Sequence, residues 1–162
     1  MCIRDRQGIE KLTSLQSLII INNDNLTSLQ GIEKLTFLQS LTINNNENLT
    51  SLQGIENIKS LRSINLSNDY LIARLIKIKH FFNKITISEC ELLPGIAEFR
   101  TDTLSIYSAK FIATPDFYRK KGFKVLEISS PFVDTVRLKK EMPEVKILFI
   151  KGEVEESWME YR

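Results

Sequence analysis

The sequence predicts an α/β solenoid, and three observations lead there. First, one unit recurs in tandem. Residues 7–29 read QGIEKLTSLQSLIIINNDNLTSL, residues 30–52 read QGIEKLTFLQSLTINNNENLTSL, and residue 53 starts again with QGIENIKSLRSINLSND. Gly8, Gly31 and Gly54 set the period at 23 residues, the range of stacked units that cannot bury their apolar faces alone. Second, apolar residues step by three through each unit, except that Leu18 and Ile20 step by two. A step of two is strand periodicity, with both side chains on one face. Third, each unit is too short for a free-standing hairpin or a long helix. Stacking therefore sets the short strands side by side in parallel, about 4.8 Å apart.

The rhythm outlasts the exact wording. Inward strand pairs are expected at Leu18/Ile20, Leu41/Ile43, Ile64/Leu66, Ile85/Ile87, Leu104/Ile106, Leu126/Ile128 and Leu148/Ile150, at steps of 23, 23, 21, 19, 22 and 22. That makes seven coils, the last four degenerate. Alternation turns the intervening residues outward: Ser17, Ile19 and Ile21, then Ser40, Thr42 and Asn44, then Ser63, Asn65 and Ser67. Further along come Lys84, Thr86 and Ser88, Thr103, Ser105 and Tyr107, Val125, Glu127 and Ser129, and finally Ile147, Phe149 and Lys151.

Leu15-x2-Leu18-x-Ile20-x2-Asn23, Leu38-x2-Leu41-x-Ile43-x2-Asn46 and Leu61-x2-Ile64-x-Leu66-x2-Asp69 resemble the leucine-rich repeat family. Here two residues follow each Asn before the next Leu, where the family usually has one, so the turn is expected to be one residue wider. The resemblance implies a curved right-handed coil with a parallel sheet on its concave face. It places 3₁₀ or irregular turns, then helices, on the convex face. Residues 7–162 then form a single leucine-rich repeat domain. Asn23 and Asn46 would point inward, and a buried amide can bridge the backbones of adjacent coils. That ladder position continues as Asp69, Cys90, Ala109 and Pro131, so the amides stop after the second coil.

Met1 to Arg6, MCIRDR, fits no repeat position and reads as a non-native leader, a translated sequencing adapter. TSLQGIEKL suits a short 3₁₀ turn. After Asp69, an N-cap candidate, Leu71, Ile72, Leu75, Ile78 and Phe82 recur at helical spacing. Thr114-Pro115-Asp116 starts another helix that Gly122 can end, and Ser130-Pro131 a third that stops near Pro143. Val154, Trp158 and Tyr161 share a face of an acidic amphipathic tail, so residues 152–162 read as a C-terminal cap. The alternative for that tail is a short partner-binding helix.

The chain is 43 % hydrophobic and 26 % charged with a net charge of +2, an ordinary globular balance that argues against disorder. Catalytic constellations are sparse. His80 is the single histidine, expected on a back-side helix, and Cys90 falls at an inward position where a thiol is inert. One His and two Cys cannot make a structural zinc set, and no Gly-rich phosphate loop occurs. Cys2 lies three coils from Cys90, about 14 Å and beyond disulfide reach. Asn25-Leu-Thr27, Asn48-Leu-Thr50 and Asn65-Leu-Ser67 are formal glycosylation sequons that the repeat wording explains.

The expectation is therefore a non-enzymatic, monomeric module with no metal and no cofactor. The family resemblance implies recognition of a protein partner through the concave face. The candidate binding residues are Tyr107, Glu127, Phe149, Lys151, Asn44 and Asn65. Tyr107, Glu127 and Phe149 are expected to make one stripe, since large aromatics and charges anchor protein interfaces. The alternative reading is a binder of nucleic acid or an anionic membrane surface. It would use Arg119, Lys120, Lys121, Arg137, Lys139 and Lys140 on the convex side beside Phe117 and Tyr118, although Asp116, Asp134 and Glu141 dilute that patch. A further alternative is the recognition fragment of a larger effector protein.

Overall fold

The computed structural model describes residues 9–67, 71, 74–75, 77–90, 99–108, 110–118 and 122–149. Seven strands make one sheet in chain order: β1 (Ser17–Ile21), β2 (Ser40–Asn44), β3 (Ser63–Ser67), β4 (Phe82–Ser88), β5 (Thr101–Tyr107), β6 (Val125–Ser129) and β7 (Lys146–Phe149). Every neighbouring pair is parallel. Leu18 sits beside Leu41, Leu41 beside Ile64, Ile64 beside Ile85, Ile85 beside Leu104, and Leu104 beside Leu126. The second member of each pair, from Ile20 to Ile128, keeps the same register. These side chains are buried and merge with the turn leucines into one core on one face of the sheet. The other face is open.

The turns follow from local chemistry. Three 3₁₀ turns, η1 (Ile9–Lys11), η2 (Ile32–Lys34) and η3 (Ile55–Asn57), occupy the expected segments. Gly31 and Gly54 precede the second and third with φ of 93° and 100°, a left-handed backbone that favours glycine. The N–H of Gly31 donates to Glu33 Oε2 and that of Gly54 to Glu56 Oε2, both at 3.0 Å. A β-carbon at Gly54 would also meet Ile32 Cγ2 of the preceding coil at 3.3 Å. The Gly-x-Glu of the repeat is thus a small closed turn packed against its predecessor.

The amide ladder forms between the first two coils. Asn46 Oδ1 accepts from the Asn23 N–H at 3.1 Å, while its Nδ2 donates to the Ile20 carbonyl at 3.1 Å and the Asn44 carbonyl at 2.7 Å. Asn22 and Asn45, each just before a ladder residue, hold φ near 50°, a region asparagine tolerates. In later coils serine bridges successive turns instead. Ser108 Oγ donates to the Cys90 carbonyl at 2.6 Å, and Ser130 Oγ to the Phe111 carbonyl at 2.8 Å. Both serines lie one residue before the expected ladder positions, Ala109 and Pro131.

Among the described residues two short helices lie in the later coils, α1 (Pro115–Tyr118) and α2 (Thr135–Glu141). Helix α2 does not begin at Ser130-Pro131. Its N-cap is Asp134, whose Oδ1 accepts from the Arg137 N–H at 2.9 Å. Asp134→Ala is expected to cost about 1 kcal/mol, the usual worth of a lost cap, measured as a shift in the urea midpoint. The helix expected from Leu71 to Phe82 is also shorter. Leu71, Arg74 and Leu75 are helical, but Phe82 opens β4 and His80 lies in the approach to that strand. His80 Nε2 sits 2.9 Å from the Leu61 carbonyl, and its ring lies 4.6 Å from that of Phe82.

The last strand departs from expectation by one residue. Ile147 pairs with Leu126, Leu148 with Glu127, and Phe149 with Ile128. A slip of one residue exchanges the two faces of a strand. The inward pair is therefore Ile147/Phe149 in place of Leu148/Ile150. The leader 1–6, Cys2, Asp69, Ile150 and the tail 152–162 lie outside the described residues.

Candidate functional site

The open face carries three rows of side chains across the strands. The first runs Ser17, Ser40, Ser63, Lys84, Thr103, Val125, Lys146. The second runs Ile19, Thr42, Asn65, Thr86, Ser105, Glu127, Leu148, and the third Ile21, Asn44, Ser67, Ser88, Tyr107, Ser129. Parallel pairing in register puts equivalent positions beside one another, so the rows follow directly from the repeat.

Glu127 is the centre of this face. Its Oε2 accepts from Lys84 Nζ at 2.7 Å, Ser105 Oγ at 2.6 Å and Tyr107 OH at 3.2 Å. Lys84 reaches across two strand spacings from β4 to β6. Its stem lies over β5, where Thr103 and Ser105 are small enough to leave room. The expected neighbourhood of Tyr107 and Glu127 is therefore present. Lys84 and Ser105, which were only counted as outward residues, join it. The signal for Lys84 was available: it is an outward cation two strands from Glu127, a gap of about 10 Å that the lysine and glutamate side chains close together.

The network sets the protonation of its members. The hydrogen bonds from Lys84 and then Ser105 hold the Glu127 carboxyl below the usual glutamate range. Burial, and next the Glu127 charge, push the Tyr107 phenol up. A carboxyl whose folded pKa is depressed stabilises the fold above its unfolded pKa and loses that contribution as pH falls through the folded value. Glu127→Gln is therefore expected to cost about 1 kcal/mol at pH 7, a modest value because the Lys84 side chain is 40 % exposed. The gap in melting temperature between wild type and Glu127→Gln should close as the solution is acidified below the glutamate range. A gap that persists at pH 2 would contradict this.

The other candidates separate. Asn44 and Asn65 lie on the open face, as expected from alternation. Asn44 Oδ1, Asn65 Oδ1 and the neighbouring Ser67 Oγ are buried and meet no hydrogen-bond donor. Phe149 is a correction: it shares the face of Ile128, so Leu148 takes the place beside Glu127. Phe149 is still 48 % exposed. Lys151 lies outside the described residues.

The expected basic patch falls only partly within the described residues. Phe117 and Tyr118 are buried in the core, edge to face with each other at 5.7 Å. Arg137 packs its guanidinium 4.4 Å over the Tyr118 ring and lies 3.9 Å from Glu141. Lys139 and Lys140 are exposed on α2, and Arg119, Lys120 and Lys121 lie outside the described residues. Cys90 is fully buried. Among the described residues no group of three His, Cys, Asp or Glu side chains could hold a metal, and no helix is long and apolar enough to cross a membrane.

A groove of about 490 Å³ runs between the second and third turns, lined by Ser28, Glu33, Ser51, Gln53, Glu56 and Asn57. Its two carboxylates are the ones already spent on the glycine N–H groups. The open sheet face remains the candidate site. A comparison with models of known protein families and one with curated protein sequences both find no match.

Proposed function

We propose that this chain is a non-enzymatic recognition module of the leucine-rich repeat type. In this reading it binds a protein partner through the open sheet face, concave in that architecture. The observation that carries the reading is the prearranged cluster on Glu127, whose one oxygen gathers donors from three side chains on two other strands. A charged group fixed in this way needs little further ordering when a partner arrives, and low ordering cost is what makes a surface effective for binding. Exposed Leu148 beside it adds the apolar area that interfaces concentrate near their anchors. The tandem repeat and its amide ladder support the family assignment.

The test is a pull-down from lysate of the source cells with three baits: wild type, Tyr107→Ala/Leu148→Ala, and Lys139→Glu/Lys140→Glu. The expected result is a partner retained by wild type and by the charge-reversed bait but lost from the Tyr107/Leu148 bait. Loss only from the charge-reversed bait moves binding to the α2 side. Equal retention by all three removes the open face from the interface.

A further inference from the structure

We infer that the open face takes an extended, uncharged segment of the partner polypeptide, whose main-chain N–H groups supply the donors that Asn44, Asn65 and Ser67 lack. This rests on the reading that the open face is the binding surface, and it specifies what that surface selects.

Three observations carry it. The first is the cluster of unmet acceptors. Asn44 on β2 pairs laterally with Ser67 on β3, and Asn65 lies two residues before Ser67 on the same face. Asn44 Oδ1, Asn65 Oδ1 and Ser67 Oγ meet no donor, and Ser67 is only 6 % exposed. Buried acceptors without donors are costly and rare in folded chains. Asn44 and Asn65 are only half-buried as residues, so rotation of either amide brings its oxygen toward an incoming N–H.

The second is charge. The open-face positions of β1, β2 and β3 hold no charged residue. Further along, Lys84 and Glu127 neutralise one another at 2.7 Å, which among the described open-face residues leaves Lys146 on the outer strand. An acidic or basic partner finds no complementary field here, and burying an unpaired charge against this face would be unfavourable.

The third is shape. The face around the acceptors consists of Ser, Thr and Asn, side chains short enough to let a backbone approach closely. Six strand spacings give the face a length of about 29 Å, which an extended chain of roughly nine residues crosses. Glycan hydroxyls could also donate. An extended backbone, however, presents its N–H groups at a fixed repeat that a glycan lacks, and glycans are the competing outcome in the experiment below.

The experiment pans a phage-displayed library of linear peptides about 12 residues long against the full chain, alongside a glycan array. An enriched peptide is then titrated by fluorescence anisotropy at about 50 mM and 500 mM salt, against wild type, Asn65→Leu and Tyr107→Ala/Leu148→Ala. The expected enrichment is for uncharged sequences whose affinity changes less than about threefold with salt, because no ion pairs are broken. Asn65→Leu should weaken binding about tenfold while its melting temperature holds or rises, since the substitution removes an unmet acceptor. That opposition separates loss of ligand from loss of fold.

Enrichment of charged peptides with steep salt dependence overturns the inference. So does binding that Asn65→Leu leaves intact, or glycans bound in place of peptides. Failure to enrich any peptide, while the protein partner still depends on Tyr107 and Leu148, overturns the extended segment and leaves the protein-binding reading standing. Loss of both overturns both.

Discussion

Leu41→Ala is expected to lower the unfolding free energy by about 2–5 kcal/mol, the cost of a cavity in a closely packed core. Leu41 is fully buried on β2, in register with Leu18 on one side and Ile64 on the other. Its loss removes contacts to two coils at once, and neither coil can move in without disturbing its ladder of hydrogen bonds with the next. The cost should therefore fall toward the upper part of that range. Urea denaturation followed by circular dichroism reads it. A midpoint within error of wild type would mean that Leu41 does not face the core.

Asn46→Ala is expected to cost about 2–4 kcal/mol, although the residue is polar and the change removes little volume. Three hydrogen bonds to the backbone go together, to the Asn23 N–H, the Ile20 carbonyl and the Asn44 carbonyl, of which the last still accepts from the Asn22 N–H at 3.2 Å. Asn46 itself is fully buried, so no solvent water reaches in to replace the amide. Asn46→Asp keeps an acceptor for the Asn23 N–H but turns a carboxylate toward two carbonyls, and it should be no better than alanine at neutral pH. Thermal melts of the two variants beside wild type decide this. If Asn46→Asp were as stable as wild type, the donor half of the ladder would be dispensable.

The sheet was legible in the sequence wherever apolar and polar residues alternate. Leu41-Thr42-Ile43 and Ile85-Thr86-Ile87 leave one choice of inward face, and the register follows from stacking like on like. At the last strand the run Ile147-Leu148-Phe149-Ile150 is apolar throughout, so alternation chooses no face. There the backbone decides: the Lys146 N–H donates to the Lys124 carbonyl at 2.9 Å and fixes Val125 beside Lys146. This moved Phe149 off the candidate stripe and put Leu148 on it.

The helix starting at Thr135 was misplaced for a different reason. Ser130 resembles a cap in sequence, and its Oγ does accept from the Phe132 N–H at 3.3 Å while donating to the Phe111 carbonyl, but it closes only a turn, and the helix starts after Asp134. The Glu127 cluster was half legible. Row positions name its members, but the reach of Lys84 over β5 depends on which side chains of that strand are small.

Each of the strands β1 to β7 hydrogen-bonds only to its neighbours in sequence. Every ladder therefore closes a chain loop of about one repeat, and the entropic cost of closure is set by that length and not by the length of the chain. Folding has no distant pairing to wait for, a circumstance that favours speed over topologies built from remote contacts. It should start in the uninterrupted repeats around β1, β2 and β3 and spread outward one coil at a time, each finished coil serving as template for the next. Native-state amide exchange should record this as a gradient, with the slowest amides in β2 and β3 and protection falling coil by coil toward β7.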